Sequence, residues 1–334
     1  MNAPDSGAQR RGLPRWALPV FGYLISVGCL IWVYRGFDWD REVARLSAMD
    51  WRWVTLAVAA DIFVYVCQGW RWSTLLKPLA NVSMWKTTQA IYIGLFANEV
   101  LPLRSGEVIR CYLQRRWSGL PLSVVISSAV IERAMDGIWL VLGFWAVGQY
   151  VNLPRVMVEG SRLLVLLLMI AAALVAMAVI YKGETEQAVS RSRWGAMLRH
   201  VVGGVHSMGR SWSFAWAGLL SLAYLGLQIL PILFLMKAYG LEVTGWAAPV
   251  VLVVLRLGTV VPQAPGNVGA FQALTILALR LFGLERAEAA GFATLLFIVV
   301  TVPLWLAGFV ALLATRMRFR EIHQEAHEQF AAEG

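Results

Sequence analysis

The sequence predicts an all-α, polytopic membrane bundle with about six full spans and two re-entrant or broken helical hairpins. Three observations carry that prediction. The chain of 334 residues is 59% hydrophobic and only 15% charged, with a mean hydropathy of +0.63, whereas soluble domains carry roughly 25% charged residues. Apolar runs long enough to cross a hydrocarbon core recur along its length. Two further apolar runs end in stretches rich in proline and glycine, where irregular backbone survives in a membrane only if protein buries it or water reaches it.

The first run, 16–34, is too long for a signal-peptide core and no small-residue cleavage site follows it, so it reads as an uncleaved first span. Residues 35–50, "RGFDWDREVARLSAMD", suit a short interfacial helix outside. The span 53–70 carries a lone acid, Asp61, expected to meet a basic partner. The run 84–101 leads into "LPLRSGE", where Pro102 ends the incoming helix and Gly106 admits close backbone approach; a second helix, 105–116, follows. Further spans are expected at 119–149, 160–181, 212–237 and 289–314. The run 246–261 leads into "VPQAPGNVG", with breaks at Pro262, Pro265, Gly266 and Gly269, and a helix over 267–283.

Segments 1–15, 182–211 and 315–334 are polar and suit a cytoplasmic terminus, connection and tail around one transmembrane domain, 16–314. Many of the sixteen Trp residues lie near the ends of apolar runs, as an interfacial aromatic belt requires. The three Cys form neither a disulfide framework nor a metal spacing, so no metal or cofactor is expected. The net charge of +9 does not mark a nucleic-acid binder. With both termini cytoplasmic, most of the 29 Lys and Arg residues, Arg71 among them, fall on the cytoplasmic side, in accord with the positive-inside rule.

The two breaks align on their prolines. Val100, Pro102, Gly106 and Val108 match Val260, Pro262, Gly266 and Val268, and the two hairpins are expected to open to opposite sides. Interrupted segments of opposite orientation are the sequence mark of an inverted repeat with a site between the halves.

Charges inside the spans define the candidate site. In "AVIERAMDGIW", Glu132 and Asp136 are four apart and share a helix face, with Arg133 beside them. Each charge turned to lipid would cost about 2.5–3.5 kcal/mol, so the three must face the interior, a partner or water. They form either an ion-pair cluster that pins helices or a polar site for a charged substrate. Arg256 lies about one and a half turns before the second break, and its fork suits phosphate. If 105–116 is helical, Arg104, Glu107 and Arg110 lie along one side.

Together, "NEVLPLRSGEVIR" at 98–110, "ERAMD" at 132–136 and "PQAPGNVGAFQ" at 262–272 resemble the flippase-like transmembrane family. That family is typified by the membrane module of lysylphosphatidylglycerol synthase (the multiple peptide resistance factor) and its single-domain relatives. The resemblance extends over about 16–314. It implies lipid translocation in a bacterial inner membrane, with Asn98, Arg104, Glu107, Arg110, Glu132, Arg133 and Asp136 as site residues. Many relatives carry Glu where this chain has Gln272.

The expected function is translocation of an anionic or zwitterionic lipid, its headgroup held by Arg104, Arg110 and Arg256. Glu107, Glu132 and Asp136 would exchange with it as partners. The alternatives are a lipid-modifying transferase and an accessory protein of a lipid pathway. Expected partners are membrane lipids, with a homo-oligomer or a lipid-synthesis protein as the open protein contact.

Overall fold

The computed structural model describes residues 17–101, 105–152, 155, 158–163, 165–167, 169–170, 212–258, 265–315 and 324–325. The expected break residues Pro102 and Pro262, the candidate Arg104 and the segments 1–15 and 182–211 lie outside them.

Eleven α-helices have bounds among the described residues, and 158–163, 165–167 and 169–170 are helical as well. Helix α1 (Ala17–Tyr34) fills the first expected span. Helix α2 (Trp39–Ser47) is the short helix expected within 35–50, and none of its residues is buried. Asp38 caps it by accepting from the Arg41 amide at 3.1 Å, and Asp50 caps α3 through the Arg52 amide at 3.0 Å; both carboxylates satisfy amides that the first turn leaves without partners.

Helix α3 (Trp51–Leu76) runs for 26 residues, beyond the expected 53–70. Helices α4 (Met84–Val100) and α5 (Gly106–Ser118) form the first hairpin, and α6 (Leu122–Gly148) follows.

The stretch expected as one span over 212–237 is two helices, α7 (Trp212–Leu227) and α8 (Ile229–Tyr239). The cause is Pro231, which has no amide proton and whose ring would clash with the carbonyl four residues back, at Leu227. Gln228 occupies the joint.

The second hairpin comprises α9 (Ala247–Gly258), a 3-10 turn (Pro265–Asn267) and α10 (Ala270–Arg280). Gly266 and Gly269 hold φ of 74° and 84° in this turn, a backbone region open to glycine at little cost. Helix α11 (Arg286–Ala314) completes the order.

Helices α3, α11 and the α7–α8 pair are long and apolar enough to cross a membrane. Leu24, Ile31, Phe63, Leu142, Leu306 and Val310 stand exposed on the outside, a pattern that suits lipid contact rather than water. By contrast, α5, α9 and α10 have 13, 12 and 11 residues, or about 17–20 Å at the α-helical rise, too short for a hydrocarbon core of about 30 Å.

Each hairpin therefore has at least one arm too short to cross alone, and chain connections fix their directions. Helix α5 ends at Ser118 and α6 starts at Leu122, so the first hairpin opens at the start of α6. Just past the far end of α6, Tyr150 stacks on Trp246 with ring centroids 4.2 Å apart, and α9 begins at the next residue. The hairpins thus open toward opposite ends of α6. Their tips meet: the 265–267 turn packs on α4, and a Cβ on Gly266 would lie 3.2 Å from Glu99 Oε2.

Each hairpin has its own apolar core. Trp72, Leu76, Ile91, Ile93, Ile109 and Leu113 pack around the first. Leu235, Val251, Ile276, Leu279 and Phe292 pack around the second, joined by Val54 and Ala57 from the start of α3.

Candidate functional site

The first hairpin closes through very small residues. A Cβ on Gly106 would collide with the Gly94 carbonyl oxygen, so α4 and α5 approach backbone to backbone. Asn98 fixes the turn, its Oδ1 accepting from the Gly106 amide at 2.8 Å. Packed this closely, α5 presents Arg110 inward toward α3 and α6.

Arg110 donates from Nε to Glu107 at 2.6 Å and from Nη1 to Glu132 Oε2 at 3.1 Å, with its guanidinium 4.7 Å above the Trp72 ring. On the other side of Glu132, Oε1 accepts from Arg71 Nε at 3.1 Å. Arg71 also engages Asp136 with two nitrogens, donates to Ser221 Oγ at 3.2 Å, and lies 4.8 Å from the Tyr224 ring centroid. Arg71 and Glu132 are both 0% exposed and Arg110 is 3% exposed.

Five charges thus form a continuous chain, Glu107–Arg110–Glu132–Arg71–Asp136, bridging α5, α6 and α3. Removing one member of such a buried array leaves its partner as an uncompensated charge in a low dielectric. Arg133 lies at its edge, 3.6 Å from Asp136 and 45% exposed.

Arg71, expected as a cytoplasmic topogenic charge, is instead the interior hub of the array. It precedes the end of α3 by five residues, about 8 Å of helix, and the array sits nearer that end than the middle of α3. The signal that could have found it is the demand made by Glu132 and Asp136, an i,i+4 pair of acids that needs a cation from another helix.

Arg256, the other basic candidate, lies on α9 beside the joint between α7 and α8. It donates to Gln228 Oε1 and to Tyr224 Oη, the latter at 3.3 Å. Three cavities share it. The first, about 220 Å³, is lined by Asp61, Tyr65, Glu99, Gln228, Arg256 and Asn267. The second, about 270 Å³, is lined by Arg133, Asp136, Trp139, Ser221, Tyr224 and Arg256. A smaller one of about 70 Å³ lies between them and the first hairpin, against Asn98, Glu107, Arg110 and Arg133.

The candidates therefore divide. Glu107, Arg110, Glu132 and Asp136 belong to the charged array, Arg133 and Arg256 to the cavity walls, and Asn98 ties the turn while edging the smallest cavity. Asp61 faces the cavity that it shares with Arg256. Sequence reasoning missed Gln228, Tyr224 and Ser221, polar residues on apolar helices; Pro231 three residues after Gln228 was the available sign of a break.

In the second hairpin, Gln272 Oε1 accepts from the Gly269 amide at 2.7 Å and so caps α10. A Glu there would offer the same acceptor. Among the described residues, no group of three His, Cys, Asp or Glu is placed to hold a metal.

An all-α membrane bundle with a buried charge array and cavities lined by Arg256 and acidic side chains is the class that fold and site define. The chain belongs to the family described as Lysylphosphatidylglycerol synthase TM region, whose model matches residues 20–324. It is 24% identical over 316 residues to a UPF0104 membrane protein of Methanothermobacter thermautotrophicus, a match spanning 86% of this chain and 84% of that one. It is 23% identical over 307 residues to one of Methanocaldococcus jannaschii, spanning 86% and 90% of the two chains. A third, from Pyrococcus horikoshii, is 24% identical over 134 residues, 39% of each chain.

Proposed function

We propose that this protein moves an anionic or zwitterionic lipid between the leaflets of a bacterial inner membrane, with both termini cytoplasmic. The observation that carries the reading is the position of Arg256, on the first arm of the second hairpin, where it lines three cavities that also hold Asp61, Asp136, Glu107 and Arg133. A headgroup crossing the membrane needs a polar path, because each charge in hydrocarbon costs several kcal/mol. Cavities of about 220 and 270 Å³ accommodate a headgroup while the acyl chains stay in lipid.

Arg256 supplies a planar, permanently charged fork for a phosphate, and Arg133 a second cation at the cavity edge. Arg104, expected to share this role, lies outside the described residues. The charged array then acts as the frame that fixes α5 and α6 beside the path, and Glu107 and Asp136, at its two cavity-facing ends, offer carboxylates that can exchange partners with an arriving headgroup.

The test is reconstitution into vesicles with a fluorescent phosphatidylglycerol whose outer-leaflet pool is bleached. The wild-type chain is expected to expose the inner pool to bleaching, and protein-free vesicles are not. Exposure no faster than in protein-free vesicles would reject the reading. The lipid-transferase alternative makes a different demand, a covalently altered lipid, which mass spectrometry of the same vesicles reads.

A further inference from the structure

We propose that Asp61 is a proton-binding site coupled to the anion site at Arg256, so that one proton and one anionic group occupy the first cavity together. The inference rests on the headgroup role assigned to Arg256 above.

Asp61 lies near the middle of α3, is 7% exposed, and lines the cavity. Its Oδ2 has no hydrogen-bond donor among the described residues. In the charged array, by contrast, both oxygens of Glu132 accept from arginines. A buried carboxylate oxygen without a donor disfavours the anion, and a proton removes that penalty.

The groups around it limit what else could neutralise it. Tyr65 lies one turn along α3, and α4 contributes Glu99 and Tyr92, the latter committed by its hydroxyl to the Ile62 carbonyl at 2.8 Å. Helix α7 contributes Tyr224 and α9 contributes Arg256. The cavity-lining residues from α8, α10 and α11 carry no ionisable group. Arg256 is the one cation lining the cavity, among the described residues.

The coupling follows from sharing that cation. With no anion present, Arg256 favours an ionised Asp61 across the cavity. When a phosphate takes the guanidinium, Asp61 loses that support and takes up a proton from water. By linkage the converse holds: protonating Asp61 removes one competing anion from the Arg256 site and strengthens phosphate binding there. The occupied site therefore carries an anion and a proton together, and a pH gradient can bias which way the anion travels.

The test reads the carboxyl group directly and does not depend on transport. Infrared pH-difference spectra of the protein in phosphatidylcholine vesicles are expected to show a protonated-carboxyl C=O band that titrates. The band is lost in Asp61→Asn and displaced in frequency in Asp61→Glu. Adding short-chain phosphatidylglycerol is expected to move the titration to higher pH in the wild type and not in Arg256→Gln. An Asp61→Asn protein that folds normally and keeps the full band would overturn the site. A band that phosphatidylglycerol leaves in place would overturn the coupling. Failure of vesicle translocation with this band intact would instead count against the lipid-transport reading.

Discussion

The charged array and the cavity around Arg256 adjoin in one bundle, yet they treat their charges in opposite ways. In the array, both oxygens of Glu132 accept from arginines, and Arg71 spends its donors on Glu132, Asp136 and Ser221. At the cavity, Arg256 is held by Gln228 and Tyr224, neutral groups on helices that meet at a broken joint. The middle of the array resists rearrangement, since any exchange at Glu132 exposes a charge, whereas its ends, Glu107 and Asp136, face the cavities. Arg256 stands on a wall shared by three cavities, beside Asp61 and Asp136, where an arriving anion can compete for its guanidinium. Buried charge in a membrane protein is thus not one signal but two, and the partner set tells them apart.

The comparison can be broken most forcefully at Glu132. Glu132→Ala leaves Arg71 and Arg110 facing each other without their shared carboxylate and is expected to destabilise the protein by about 3–5 kcal/mol, read as a fall in the thermal midpoint in detergent. Next is the hairpin that aims Arg110 inward. Gly106→Ala drives a methyl into the Gly94 carbonyl and is expected to cost about 1–3 kcal/mol, with accelerated proteolysis near the turn. Arg256→Ala, by contrast, is expected to cost about 1.5–3 kcal/mol, the range for a hydrogen bond from a charged group, and less than Glu132→Ala, while translocation falls roughly tenfold or more, the factor that about 1.4 kcal/mol represents.

The smallest effect is expected at the far end of the bundle. There Arg45 pairs with Glu288 at 2.5 Å and sits 4.3 Å from the Tyr239 ring centroid, with side chains about a third exposed. Arg45→Ala is expected to cost about 0.2–1 kcal/mol, with translocation unchanged.

Part of this was legible in the sequence and part was not, for a physical reason. Hydropathy and the Pro/Gly breaks gave the membrane class and both hairpins, because lipid forbids irregular backbone that is not covered. The charges on α6 were legible because three ionisable groups in an apolar helix have no cheap exposed position.

Arg71 was not. Its neighbours Trp70 and Trp72 resemble an interfacial belt, and depth along one helix says nothing about which neighbouring helix lies beside it. Trp72 is in fact fully buried, donating to Ser128 at 2.8 Å, while Trp70 faces outward. The joint at Gln228 escaped because the run 212–237 is apolar on both sides of it, and proline is tolerated within membrane helices.

The central claim is that the array holds the fold and the Arg256 cavity handles the headgroup. The most direct measurement is the translocation rate per folded molecule for Glu132→Gln and Arg256→Ala, reconstituted in parallel. The account predicts that Glu132→Gln loses folded protein but keeps near wild-type activity per folded molecule. It predicts the reverse for Arg256→Ala, with folded yield retained and activity lost. Full activity in Arg256→Ala, or a stable and inactive Glu132→Gln, would contradict it.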